Sequence, residues 1–218
     1  MSMAPPQNPA AALEQALSLH RAGQFAAAEP LYRQLLEQQA HHPGVLQMLG
    51  VLLFQTGRQD EGVLLLQQVV DASPNDPAAH NNLGNALRGL GRHEAAAASF
   101  EKAIALRPDF VDAWSNRGNA LNDLHRFDEA VQAYDQALAL QPRHANALNN
   151  RASALNSLRR HAEALRDYDQ SIRLQPEVAE TYAYRAAALI SLGRLEEALQ
   201  SCSMALQRKP GCLDALWS

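Results

Sequence analysis

From residue 9 onward, apolar positions along this chain recur in short stripes separated by polar faces. Ala103 and Ile104 follow Phe100 by three and four residues, about one helical turn, so these three fall on one side of a helix, with Leu106 just beyond them. The most apolar stretch, Val63 to Leu66 with Val69 and Val70, keeps the same spacing. No segment shows the period-two alternation that marks a half-buried strand. The pattern predicts an all-α protein.

The stripes themselves repeat. Pro74, Pro108, Pro142, Pro176 and Pro210 are spaced by 34 residues each, a period that marks an array of supersecondary units. The predicted blocks are 9–42, 43–76, 77–110, 111–144, 145–178 and 179–212, with 1–8 as a flexible N-terminal segment and 213–218 as the start of a seventh block or a truncated tail. Counting from the first residue of each block, position 11 is leucine throughout: Leu19, Leu53, Leu87, Leu121, Leu155 and Leu189. Position 24 is bulky in five blocks (Tyr32, Leu66, Phe100, Tyr134, Tyr168) and Cys202 in the last. Position 8 (Ala16, Gly50, Gly84, Gly118, Ala152, Ala186) and position 20 (Ala28, Gly62, Ala96, Ala130, Ala164, Ala198) are small, which lets two helices approach closely.

Gly23, Gly57, Gly91 and Gly193 at position 15 predict the end of a first helix, where a residue tolerant of positive φ is wanted. His125 and Arg159 replace that glycine in two blocks, so those turns are expected to be tighter or differently shaped. Arg58, Arg92, Arg126, Arg160 and Arg194 follow it, where a cation suits the end of the first helix. Glu61, Glu129, Glu163 and Glu197 then open the second helix favourably. Each block therefore reads helix, turn, helix, stopped by the periodic proline. Arg117 and Arg151 at position 7 face Asp135 and Asp169 at position 25 of the same block, and are expected to tie its two helices together.

These small and large positions, with the proline near the end of each block, resemble the tetratricopeptide repeat. The resemblance covers residues 9–212. It implies a right-handed superhelical solenoid of antiparallel helix pairs, in which first helices line a concave groove. The positions it points to are crowded with amides: Asn81, Asn82 and Asn85, then Asn116, Asn119 and Asn122, then Asn149, Asn150 and Asn156. Asparagine is a poor helix former, so something other than propensity selects it here. Its side chain offers a donor and an acceptor, matching a peptide backbone. The same stretches, Asn82-Leu83-Gly84-Asn85 and Asn116-Arg117-Gly118-Asn119, resemble the repeats of O-linked N-acetylglucosamine transferases. Toward the N-terminus Leu17, Val51 and Phe54 replace the amides, predicting an apolar groove patch. The carboxylate clamp that some relatives use for chaperone tails is excluded. Asn85 and Asn116 supply its amides, but Asn81, Asn146 and Asn150 stand where its cations belong, and a carboxylate cannot be desolvated without them.

Composition narrows the function further. With 19 basic and 23 acidic residues the net charge is −4, without the basic block that nucleic acid requires. No run is long and apolar enough for a membrane helix, and Met1 to Pro9 lacks the features of a signal peptide. Two cysteines, Cys202 and Cys212, form no disulfide framework. A cytoplasmic compartment is expected. The eight histidines include no helical ligand pair, and phosphate loops and nucleophile elbows are missing, so no metal, cofactor or catalytic residue is expected. The reading is a non-enzymatic scaffold that holds an extended peptide or protein segment, and the resemblance implies the substrate-recruiting N-terminal part of a protein glycosyltransferase. The alternative is an assembly protein that oligomerises through its ends or convex face, with an uncapped last repeat inviting self-association.

Overall fold

The computed structural model describes residues 8–40 and 42–210. Among these, every regular element is a helix. Helices α1 (Pro9–Arg21), α2 (Phe25–Gln38), α3 (Pro43–Gln55), α4 (Gln59–Ala72), α5 (Pro77–Gly89) and α6 (His93–Leu106) lie in one compact unit, Met1–Pro108. Helices α7 (Val111–Asp123), α8 (Phe127–Leu140), α9 (Ala145–Ser157), α10 (His161–Leu174), α11 (Ala179–Ser191) and α12 (Leu195–Arg208) lie in a second, Asp109–Ser218. Helices pack in consecutive antiparallel pairs, and each second helix also packs against the first helix of the following pair within its unit.

Local signals account for the boundaries. From α4 onward, second helices end two residues before the periodic proline, whose ring and missing N–H disfavour further helix. Gly23, Gly57, Gly91 and Gly193 adopt φ between 72° and 85° in the intervening turns. His125 and Arg159 adopt the same left-handed conformation, at φ 58° and 61°. Their turns are therefore not differently shaped, contrary to expectation: the surrounding helix pair imposes the conformation, and the side chain bears the strain. The arginines at position 16 are not last-turn residues of the first helix either. Arg58, Arg126, Arg160 and Arg194 are N-caps of the second helix, and each reaches forward to the glutamate three residues on, at 2.6–2.7 Å for Arg58, Arg126 and Arg194 and 2.8 Å for Arg160. The glutamate thus offsets a cation that would otherwise sit against the positive helix end.

The small positions serve the ring at position 24. A Cβ on Gly118 would stand 2.5 Å from the Tyr134 ring, and one on Gly62 would stand 2.7 Å from the Gly50 carbonyl oxygen. Tyr32, Phe100, Tyr134 and Tyr168 are all fully buried against these surfaces. Each such ring contributes about 1.5–3 kcal/mol by leaving water. In the second unit the core runs without interruption from Leu121 and Tyr134 to Leu148, Leu155 and Tyr168. Cys202, where the sixth pair lacks a ring, is half-buried against Leu165, Ala186 and Leu189. Cys212 and the segment 213–218 lie outside the described residues.

Candidate functional site

Consecutive first helices touch within each unit: α1 with α3, α3 with α5, α7 with α9, and α9 with α11. They thereby form one face per unit, and the amides lie at its seams. Asn150 on α9 donates its Nδ2 to Asn119 Oδ1 on α7 at 2.8 Å. Positions 6 and 9 of successive pairs therefore meet.

Several amides expected to be unpaired are committed within the protein. Asn119 Oδ1 also accepts from the Tyr134 hydroxyl at 2.8 Å, so both its lone pairs are used. Asn149 donates to Asn150 Oδ1 at 3.3 Å, and Asn156 Oδ1 lies 2.6 Å from His161 Nδ1. Asn81 is buried, Asn116 half-buried, and both are engaged by other groups. The physical reason is the buried tyrosine at position 24, whose hydroxyl needs a partner when taken out of water. Asn119 meets that need for Tyr134, and Ser153 at the same position bonds the Tyr168 hydroxyl. Burial, above all, also pushes the Tyr168 pKa above its ordinary value.

Asn85 differs because its pair carries Phe100, which has no hydroxyl. Asn85 is exposed and Asn82, one turn earlier, is half-buried; neither makes a hydrogen bond among the described residues. Two further acceptors are buried without a donor, Asn122 Oδ1 and Asn149 Oδ1. Asn122 has a local explanation: the residue five places on is Phe127, whereas His161 stands there for Asn156.

Leu17, Val51 and Phe54 are half-buried on α1 and α3. Phe54 does more than line the face: its ring lies where a Cβ on Gly89 would be, so it locks α3 to the end of α5.

Arg151 at position 7 does not take the partner expected from the sequence: Arg151 and Arg185 each reach one group in their own pair and one in the pair before. Arg151 takes Asp167 through Nε and Nη2 at 2.7 and 2.8 Å, and Asp135 of the preceding pair through Nη1 at 2.6 Å. Asp169, its expected partner, is held by Arg185 of the following pair at 2.6 Å, just as Asp135 is held by Arg151. The offset is 16 residues and not 18, because position 7 faces position 23 of its own pair and position 25 of the one before. Burial disfavours the Arg151 charge, but its bonds to Asp167 and Asp135 more than offset this and raise its pKa.

Sequence reading also missed the helix caps. Asn8 and Asp76 accept from the backbone N–H two residues on, at 3.0 and 2.8 Å. His42 and His144 do the same through Nδ1, three residues on, at 3.3 and 3.0 Å. Their shared place immediately before the first helix was the available signal. Among the described residues no group of three or more His, Cys, Asp or Glu could hold a metal ion, and no helix is long and apolar enough to cross a membrane.

Paired helices of 13 and 14 residues with these packing positions define a tetratricopeptide array. Tetratricopeptide repeat models match residues 19–86, 111–144 and 157–211, and a TPR repeat model matches 84–124. The chain belongs to the tetratricopeptide repeat family. Its fold is similar to that of PilW, a widely conserved type IV pilus biogenesis factor (TM-score 0.86, 18% identity, covering 98% of this chain and 100% of that one). It is similar also to PilF of Pseudomonas aeruginosa (TM-score 0.81, 16% identity, 96% of each chain). MamA aligns over 74% of this chain and 94% of its own, at TM-score 0.68 and 23% identity. No curated protein matches the chain by sequence. At these identities the likeness establishes the fold alone.

Proposed function

We propose that the protein is a non-catalytic scaffold that holds an extended peptide or protein segment on the face built by its first helices. The observation that carries this reading is the pair Asn82 and Asn85. They stand one turn apart on α5 and make no hydrogen bond among the described residues, beside an apolar stretch from Leu17 to Val51 and Phe54. An apolar anchor and a free donor–acceptor pair suit a peptide backbone with one hydrophobic side chain. Asn116, Asn119, Asn149, Asn150 and Asn156 serve the stack in this reading, leaving Asn122 as a second ligand candidate. Recruitment of substrate for a protein glycosyltransferase rests on the resemblance of the Asn82–Asn85 and Asn116–Asn119 stretches alone and is not part of this proposal. A cytoplasmic location belongs to the same proposal, since two cysteines in 218 residues make no disulfide framework.

The test is capture of partners from lysate by the wild type and an Asn82→Ala/Asn85→Ala variant, followed by titration of any shared partner. The variant is expected to melt no lower, since alanine is the better helix former. Affinity is expected to fall by about 0.5–1.5 kcal/mol per lost neutral hydrogen bond. Equal affinity of a well-folded variant removes these amides from the mechanism.

A second reading, assembly of copies, is favoured by the sixth helix pair. Ile190, Leu195, Leu199 and Leu206 are 40%, 60%, 69% and 43% exposed there. Self-association through this surface predicts that Leu195→Lys/Leu199→Lys lowers the mass seen by light scattering at high concentration. A wild type that stays monomeric removes this reading.

A further inference from the structure

The arginine of the sixth helix pair differs from that of the fifth in one respect that points to a ligand. Arg151 spends its guanidinium on two carboxylates, Asp167 and Asp135. Arg185 occupies the equivalent place, with Nε on Asp169 at 2.6 Å. The counterpart of Asp167 is, however, Ser201, which accepts from Arg185 Nη1 at 2.6 Å. Arg185 Nη2 makes no bond among the described residues, and its side chain is only 20% exposed. The Arg185 side chain is thus as buried as that of Arg151, 20% against 23% exposed, while holding one carboxylate where its equivalent holds two.

Space accompanies the missing charge. Serine is two heavy atoms shorter than aspartate, and a cavity of about 300 Å³ lies beside it between α10, α11 and α12. Ile172, Tyr182 and Met204 line it on the apolar side, and Arg173, Arg185 and Gln200 on the polar side. The Arg208 guanidinium stacks on the Tyr182 ring, 4.3 Å from its centroid. Asp169 is the single carboxylate lining this cavity. Ser201 is 2% exposed, and its hydroxyl, having accepted from Arg185, keeps its own proton to donate.

We propose that this cavity binds the carboxylate of an aspartate or glutamate side chain from a peptide partner, with an apolar neighbour of that residue resting on Ile172 and Met204. The incoming carboxylate supplies the second anionic partner that Asp167 gives Arg151 in the fifth pair, at the guanidinium nitrogen that Asp169 and Ser201 leave open. It accepts from Arg185 Nη2 and from the Ser201 hydroxyl, and both bonds are strengthened by charge. A singly charged group fits best, because Asp169 already occupies one edge of the same guanidinium and repels a dianion. Arg185 and Tyr182 come from the first helix α11 and the other lining residues from the second helices α10 and α12, so the site is separate from the Asn82 and Asn85 amides of α5.

The test uses the full chain and two fluorescein-labelled peptides, Gly-Ser-Leu-Glu-Leu-Ser-Gly amide and its Gln counterpart, read by fluorescence anisotropy. The Glu peptide is expected to bind at least about tenfold more tightly, the least difference expected between a charged and a neutral acceptor, and to weaken as salt rises. Ser201→Asp restores the carboxylate of the fifth pair. It is expected to abolish the preference while raising the melting temperature. Arg185→Gln is expected to abolish it without that rise. Leu64→Ala, at an exposed position on α4 outside both sites, is expected to leave it unchanged. The proposal is overturned if neither peptide binds, if Glu and Gln peptides bind alike, if Ser201→Asp keeps the preference, or if Leu64→Ala removes it.

Discussion

Replacing Arg151 by leucine tests whether its ion pairs, to Asp167 of its own helix pair and Asp135 of the one before, hold the second unit together. The Asp167 side chain is 10% exposed and Arg151 23% exposed, so removing the guanidinium leaves a nearly buried carboxylate without its two bonds. Breaking a fully buried pair costs about 3–5 kcal/mol. Partial solvent access to this one lowers the figure to about 2–3 kcal/mol. Asp135, 49% exposed, is rehydrated and adds under about 1 kcal/mol. The fall in melting temperature is then about 4–16 °C for a chain of this size. The double variant Arg151→Leu/Asp167→Leu is the decisive control. It copies the second helix pair, where Leu49 and Leu65 occupy the same two positions, buried and partly buried. An apolar replacement of a buried pair is commonly neutral or stabilising, so the double variant is expected to match or exceed the wild type. Urea denaturation followed by far-UV circular dichroism, run as a double-mutant cycle, yields the coupling. A single variant within about 0.5 kcal/mol of wild type, or a double variant as unstable as the single one, would refute the argument.

Three further outcomes follow from particular residues. Arg159→Gly is expected to stabilise by about 0.5–1 kcal/mol in the same assay, because glycine relieves the left-handed strain but loses more backbone entropy; destabilisation would mean that the arginine side chain holds the turn. Pro30 interrupts α2 on its exposed side, so Pro30→Gln is expected to raise stability by up to about 3 kcal/mol, and an unchanged urea midpoint would show that the helix there has already adapted. Burial raises the pKa of Tyr32 and Tyr168 above 10.0, so the folded state holds their protons longer than the unfolded one. Their contribution is complete below about pH 10 and is lost as pH rises above it. Tyr168→Phe is expected to flatten the alkaline decline in stability, and an unaltered pH profile would remove that tyrosine as its source.

The helices and their pairing were legible in the chain because their signals are local. Proline ends a helix by its own ring, glycine turns the backbone by its own freedom, and leucine at position 11 marks a face through spacing along one helix. What the amides and arginines do was not legible, because that depends on which residues of neighbouring helices are brought opposite them. Sequence spacing alone paired Arg151 with Asp169, two residues beyond the true partner in its own pair, Asp167. Asn119 and Asn85 occupy the same repeat position, yet one is consumed by Tyr134 and Asn150 and the other stays exposed. The difference lies in a hydroxyl 15 residues away, present on Tyr134 and missing from Phe100, and it matters only once packing has buried both rings. A helix propensity or a repeat pattern registers neither fact. Burial creates the demand for a hydrogen bond, and only the packed helices determine which side chain is near enough to meet it.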